Sequence, residues 1–483
     1  MNDKAKLITT GFFWRFLERF GAQGVTFIVS IIIARLLEPE MYGTIALVTI
    51  ITTILQVFID AGFSAALIQK KNADDIDFST VFYFNLIVCC LLYLVLYVLS
   101  PFISAFYSNG ELTSVIRTLG VIILISGIKS VQVSYVSKHF LFKKFFFATS
   151  GGTVAAAIVG IWMAYNGYGV WALVFQNLAN QAIDTVILWI TVDWRPKSVF
   201  SFDRLKILWS FGWKLFLASF INTIWDDLRQ LIIGKQYSSK DLAFYNKGQE
   251  FPKFATTALN SSVDSILFPA LSVEQDNKIV VKKMTRISIR TTAFVLWPMM
   301  IGLAVCAKPL ITLFLTEKWL PAVPYLQIFC IVYAFQPIHT SNLSAIKAMG
   351  RSDYFLILEI IKKVVGLVII LSSMWFGVFW FALSSLLNSV ICQIINSWPN
   401  RKLLNYNYLD QLKDISSTLI LAVFMGIVVF PVSLIPVSSA LQLLIQIPLG
   451  IIVYLGLSVL FKVESLTYVS NIIKKLVANL FNK

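Results

Sequence analysis

Charged, amide and hydroxyl side chains recur at helical spacing inside otherwise apolar stretches of this 483-residue sequence. In the stretch 12 to 36, Arg15, Arg19 and Gln23 fall at steps of four, with Glu18, Thr26 and Ser30 near the same side. The stretch 42 to 68 aligns Thr49, Thr52, Thr53, Gln56, Asp60 and Ser64. The stretch 209 to 234 aligns Lys214, Asn222, Asp226 and Gln230, with Asp227 and Arg229 beside them, and 241 to 271 carries Asn246, Glu250, Lys253, Thr257, Ser261 and Asp264. Residues three and four apart share one face of a helix. Cations on such a face can hold an anion, amides and hydroxyls can serve neutral polar groups, and intramembrane carboxylates titrate or bind ions. A charge facing lipid is costly, so these stripes imply a shared, water-filled cavity. Simpler roles compete for some members. Arg15 and Lys214 lie close enough to span ends to snorkel to headgroups. Asp226 can pair with Arg229, and Glu359 with Lys362 or Lys363, along one helix. Thr and Ser hydroxyls can bond their own backbone.

The elements that position these residues follow from composition. The chain is 58% hydrophobic and 13% charged, with a mean hydropathy of +0.77, more apolar surface than a soluble domain can hide. Roughly 20 apolar residues span a bilayer as a helix, because each backbone polar group then finds its partner within the segment. About fourteen such segments are expected, near 12 to 36, 42 to 68, 80 to 104, 113 to 136, 147 to 166, 169 to 192, 209 to 234, 241 to 271, 289 to 315, 322 to 346, 354 to 376, 378 to 398, 415 to 434 and 438 to 461. The eighth is read as a span, since otherwise the loop alternation downstream inverts. Lys and Arg crowd every second gap, as at Lys70 and Lys71, Lys143 and Lys144, Arg204 and Lys206, and Arg401 and Lys402. The intervening gaps are nearly free of them. The positive-inside rule then places both termini in the cytoplasm, and the net charge of +15 becomes an orientation signal facing anionic headgroups. Its dispersal over short loops speaks against nucleic acid as a partner. Segment 1 contains Arg15, Glu18 and Arg19 and so reads as a permanent span, not a cleaved leader. The five cysteines sit in apolar segments at spacings that match no metal site, and two histidines leave little material for a metal centre or a catalytic triad.

A faint repeat organises the chain. GFFWRFLERF…SIIIARLLEPEMYG, from Gly11, is echoed from Phe211 as FGWKLFLASF…QLIIGKQYSSKDLAFY, with Arg35 facing Lys235 at a shift of 200. Six spans per copy keep both copies in one orientation, and parallel repeats of this kind are a transporter signature with the substrate between the halves. The expected organisation is an N-lobe at 1–192, a cytoplasmic linker at 193–208, a C-lobe at 209–404, two extra helices at 405–461 and an amphipathic cytoplasmic tail at 462–483. Pro298 and Pro337 are candidate bends in segments 9 and 10.

ARLLEPEMYG at 34 to 43, DAGFSAALIQ at 60 to 69, YGVWALVFQ at 168 to 176, LFPALS at 267 to 272 and KAMGRSDY at 347 to 354 resemble the polysaccharide-transport branch of the multidrug/oligosaccharidyl-lipid/polysaccharide exporter superfamily. The resemblance covers nearly the whole chain. It implies an all-α membrane protein with two parallel six-helix lobes around a V-shaped central cavity lined by helices 1, 2, 7 and 8, plus two C-terminal helices. It also implies a Wzx-type flippase in the bacterial inner membrane, moving an undecaprenyl-pyrophosphate-linked oligosaccharide by alternating access. For such a substrate, Arg15, Arg19, Lys214 and Arg229 would supply the positive field for the diphosphate, and Gln23, Gln56 and Asn222 would meet sugar hydroxyls. Asp60, Asp226, Glu250 and Asp264 are candidates for Na+ or H+ coupling, and no cofactor is expected. Expected partners are the lipid-linked oligosaccharide, membrane lipids, and the polysaccharide polymerase and chain-length machinery.

Two other classes are open. An ion-coupled drug/cation antiporter of the same superfamily would share the fold, but its cavity should be acidic and aromatic, whereas Arg and Lys share the stripes here. A membrane glycan polymerase or ligase generally needs an acidic motif or a large outer loop, and every outer gap here is short. Glu38 and Glu40, flanking Pro39, are explained more simply as the start of a helix.

Overall fold

The computed structural model describes residues 21–470 except 61, 71 and 140; for Asp60, Phe211, Ala258, Ser261, Ser262, Asp264, Ser265, Ile266 and Ser352 it describes the backbone alone. Among the described residues the chain is helical throughout, without a strand. Among the described residues, nine helical stretches are long and apolar enough to cross a membrane, or ten with one bent pair. The all-α membrane class stands, and the first of the expected segments, 12 to 36, lies partly outside the described residues. Compactness divides the chain into two units, Met1–Ala243 and Phe244–Lys483.

The first unit contains α1 (Gly21–Leu36), α2 (Pro39–Asp60), α3 (Phe63–Gln69), α4 (Asp75–Tyr107), α5 (Leu112–Leu119), α6 (Val121–Lys138), α7 (Phe142–Tyr165), α8 (Val170–Thr191) and α9 (Phe202–Gln236). Helix α2 opens on Pro39, whose fixed φ and missing N–H suit a first helical turn, and Glu40 there meets the positive end of the dipole. Segment 2 is described as two helical pieces, Pro39–Asp60 and Phe63–Gln69, with residue 61 outside the described residues. Helix α9 packs on α2, α3 and α4. A Cβ on Gly212 would stand 2.7 Å from the Gly62 carbonyl oxygen, so the two backbones cross where position 212 has no room for a side chain. Helix α9 bends by 54° between Phe202–Ser210 and Gly212–Gln236 at this crossing. Beside it, Phe63, Leu67, Phe78, Val81, Leu188 and Trp194 form a buried core. Asp74 and Asp77 make a capping box at the start of α4, and the fully buried Asp77 holds Lys70 Nζ at 2.7 Å.

The second unit comprises most of α10 (Ser239–Val273), then α11 (Lys278–Val305), α12 (Ala307–Phe314), a short 3-10 turn (Glu317–Ala322), α13 (Val323–Ala334), α14 (Gln336–Ala348), α15 (Ser352–Ser373), α16 (Val378–Leu403), α17 (Tyr408–Val429) and α18 (Ser439–Leu460). Helix α11 is central and touches α13, α14 and α17. Segments 13 and 14 are docked on it: Tyr454 Oη donates to the Phe294 carbonyl at 2.8 Å, and Arg286 grips Asp414 through two bonds of 2.7 and 2.6 Å. Tyr406 Oη donates a third bond to Asp414 at 2.7 Å. Segments 9 and 10 also divide, at Cys306 and Phe335. Pro337, lacking an N–H, sits in the first turn of α14 just beyond the second division, whereas Pro298 lies inside an unbroken α11. Along α15, Leu356, Ile360, Val364, Val368 and Leu371 are exposed at steps of four and three, the stripe expected where hydrocarbon rather than water is the solvent.

Candidate functional site

Within the first unit, α2 and α8 enclose a cavity of about 210 Å3. Helix α2 contributes Thr49, Thr52, Thr53 and Gln56, one face at helical spacing. Helix α8 contributes Asn177, Asn180 and Gln181, again one face, and Leu119 and Ile122 supply an aliphatic side. Seven of the nine lining residues carry hydroxyl or carboxamide groups, and none is charged. In a bundle whose outer surface is Leu, Ile, Val and Phe, such a lining is where a polar solute finds partners.

Hydrogen bonds set the lining's orientation. Gln181 Nε2 donates to Ser126 Oγ at 2.8 Å, and Gln56 Nε2 approaches the same hydroxyl at 3.4 Å, so α2, α6 and α8 meet at Ser126. Thr52 returns its hydroxyl to the Thr49 carbonyl and Asn177 its amide to the Leu173 carbonyl, local bonds of the kind short polar side chains make in helices. Among the described residues, the hydroxyls of Thr49 and Thr53 and the amide of Asn180 have no hydrogen-bond partner in the protein. Those groups remain available to whatever fills the cavity.

Just beyond the lining lies an ion pair. Lys129 Nζ of α6 stands 2.5 Å from Asp184 Oδ2 of α8 and 3.5 Å from Gln181 Oε1. The two side chains are only 17% and 10% exposed. The other Asp184 oxygen, Oδ1, is buried without a hydrogen-bond partner among the described residues. Gly152 lets α7 lie against α8 at this level: a Cβ there would lie 2.7 Å from the Asn180 carbonyl oxygen and 3.0 Å from Asp184 Cβ.

The residues singled out in the sequence are distributed as follows. Gln56 lines the cavity with the threonines of its own stripe. Arg15 and Arg19 lie outside the described residues, as do the side chains of Asp60 and Asp264. Gln23 is exposed on α1. On α9, Lys214, Asn222 and Asp226 are exposed and Arg229 is half-buried, while Gln230 Nε2 donates to Asp227 Oδ1 at 3.0 Å. In the second unit Glu250 is paired with Lys247 at 2.6 Å, and Glu359 with Lys362 at 2.6 Å, the within-helix neutralisation that spacing allows. Sequence reasoning passed over Asn177, Asn180, Gln181, Asp184 and Lys129. The signal was there, since the α8 residues recur at steps of three and four within 177 to 184.

Known proteins place this architecture. The chain is 26% identical over 424 residues to the teichuronic acid biosynthesis protein TuaB of Bacillus subtilis, covering 84% of this chain and 86% of that one. It is 22% identical over 347 residues to the succinoglycan biosynthesis transport protein ExoT of Rhizobium meliloti, covering 72% and 70%. Its fold matches that of the lipid II flippase MurJ in an inward closed conformation with a TM-score of 0.76, at 16% identity over 92% of this chain and 98% of that one. The model of the polysaccharide biosynthesis protein family matches residues 32–324, well over half the chain, and this protein belongs to that family.

Proposed function

We propose that this protein is a flippase: it carries an undecaprenyl-pyrophosphate-linked oligosaccharide across the bacterial inner membrane during synthesis of a surface polysaccharide. It is a transporter and not an enzyme. One observation carries this reading: a hydroxyl- and amide-lined cavity lies inside an apolar, multi-pass helical bundle of the polysaccharide biosynthesis family. A glycan joined to a charged diphosphate cannot cross hydrocarbon unaided, whereas a prenyl tail can stay in lipid. A polar interior lowers that barrier without any covalent chemistry. The names of the relatives, which speak of teichuronic acid, succinoglycan transport and lipid II, support the substrate class.

In this reading both termini are cytoplasmic, and Arg15, Arg19, Lys214 and Arg229 provide the positive field for the diphosphate. Gln23, Gln56 and Asn222 meet the glycan, and Asp60, Asp226, Glu250 and Asp264 are candidates for Na+ or H+ coupling. The two six-helix lobes alternate access by rocking, and a polymerase with its chain-length machinery receives the product. The test is transfer of a fluorescent polyprenyl-diphosphate sugar across reconstituted vesicles. Wild-type protein should translocate it, and Arg19→Gln with Arg229→Gln should reduce the rate by at least about ten-fold, the loss of one charge-assisted contact. Unchanged flipping by the double variant would remove those arginines from the mechanism, and no flipping by wild type in either direction would end the flippase assignment.

A further inference from the structure

We infer that the cavity between α2 and α8 is a saccharide subsite, which docks one glycosyl unit of the lipid-linked substrate within the first unit. This rests on the flippase reading and adds to it a place and a chemistry. Three kinds of occupant are distinguished by the lining. A metal or sodium ion would want a carboxylate, and among the described residues none lines the cavity; Asp184, just beyond it, already holds Lys129 at 2.5 Å. A diphosphate would want a free cation; among the described residues none lines the cavity, and the Lys129 ammonium beside it is neutralised by that same carboxylate. What remains is a neutral ligand that both donates and accepts.

Sugar hydroxyls do both at every position, and carboxamides are the side chains that answer in kind, with an oxygen acceptor and two N–H donors each. Asn177, Asn180, Gln181 and Gln56 bring four of them, and Thr49 and Thr53 add hydroxyls without a protein partner among the described residues. Leu119 and Ile122 offer an apolar side to the C–H face of a ring. The volume, about 210 Å3, equals roughly seven waters at ~30 Å3 each, room for one sugar ring with residual water and not for an oligosaccharide. Lys129 and Asp184 act here as positioning residues. Gln181 is held between Lys129 Nζ, 3.5 Å from its oxygen, and Ser126 Oγ, 2.8 Å from its nitrogen, which aims its amide before the ligand arrives.

The experiment measures binding of two lipids to the full-length detergent-solubilised protein: undecaprenyl diphosphate without sugar, and the undecaprenyl-diphosphate oligosaccharide extracted from cells of the source organism lacking this gene. Wild type should bind the glycosylated lipid roughly ten-fold more tightly, the worth of one or two net hydrogen bonds. Asn180→Leu should bring that ratio close to one. Thr53→Val, a near-isosteric change at an exposed hydroxyl that does not threaten folding, should lower it by about three-fold. A ratio that both variants leave at its wild-type value overturns the subsite while the flippase reading stands. Wild type that binds both lipids equally also overturns the subsite alone, and wild type that binds neither overturns the flippase reading beneath it.

Discussion

Lys129 and Asp184 show how much a buried pair depends on both members. Each is nearly enclosed, so removing one strands the other's charge away from water, a loss of about 3 to 5 kcal/mol, whereas replacing both by apolar side chains of similar volume costs little. Asp184→Leu alone should therefore lower thermal stability in detergent strongly, and Lys129→Met with Asp184→Leu should recover most of it. Equal destabilisation by the single and double variants would show that the pair is not coupled. At the start of α4, Asp74 Oδ1 accepts the Asp77 N–H at 3.0 Å, and chiefly this bond holds the Asp74 carboxyl below its ordinary value of 3.8. A depressed carboxylate contributes stability above its unfolded value and loses it as pH falls through the folded one. Asp74→Ala should cost about 1 kcal/mol at neutral pH, and the gap between variant and wild type should close as the pH is lowered through the range below 3.8. A gap that persists in acid would mean that the cap owes nothing to the ionised carboxylate.

At the scale of elements, glycine decides where helices approach. Gly212 has the Gly62 backbone against it, with 2.7 Å left for a Cβ, whereas Gly456 on α18 has nothing within 4 Å. Gly212→Ala should destabilise by about 1 to 3 kcal/mol through forced separation of α9 from α2 and α3. Gly456→Ala should be neutral or slightly stabilising, by up to ~1 kcal/mol, because alanine is the better helix former. Melting temperatures of the two variants side by side test the crossing, and equal effects would refute it. The motif DAGFSAALIQ is legible in the sequence as a pattern, yet its meaning as a crossing point is not, because its partner lies 150 residues downstream. Likewise hydropathy joins α2 to α3, α5 to α6 and α13 to α14 into single segments. Apolarity continues through the junctions at Gly120 and Phe335, and only the backbone path reveals where one helix ends and the next begins.

For the whole molecule, the alternation of basic and nearly uncharged gaps is the strongest constraint on how the chain threads a membrane. Asn166 and Lys206 lie in gaps of opposite character, and both are exposed. In intact cells, a membrane-impermeant thiol reagent should label Asn166→Cys from outside and should reach Lys206→Cys only after permeabilisation. The reverse pattern would invert the orientation. The five native cysteines, four of them buried, keep the background of this measurement low.

The sequence by itself determined that the protein is an all-helical, multi-pass membrane protein, because long apolar runs leave the backbone no other way to satisfy its hydrogen bonds. It also determined that Thr49, Thr52, Thr53 and Gln56 share a face, because helical periodicity is a local property. The tertiary structure alone decided what that face meets. The match of Gln56 to Ser126 and Gln181, and of Lys129 to a carboxylate 55 residues away, depends on which helices lie side by side. In lipid the hydrophobic effect does not choose helix neighbours. Close approach at small residues such as Gly152 and a few polar contacts make that choice, and these are written in pairs of positions that no single stretch of sequence contains.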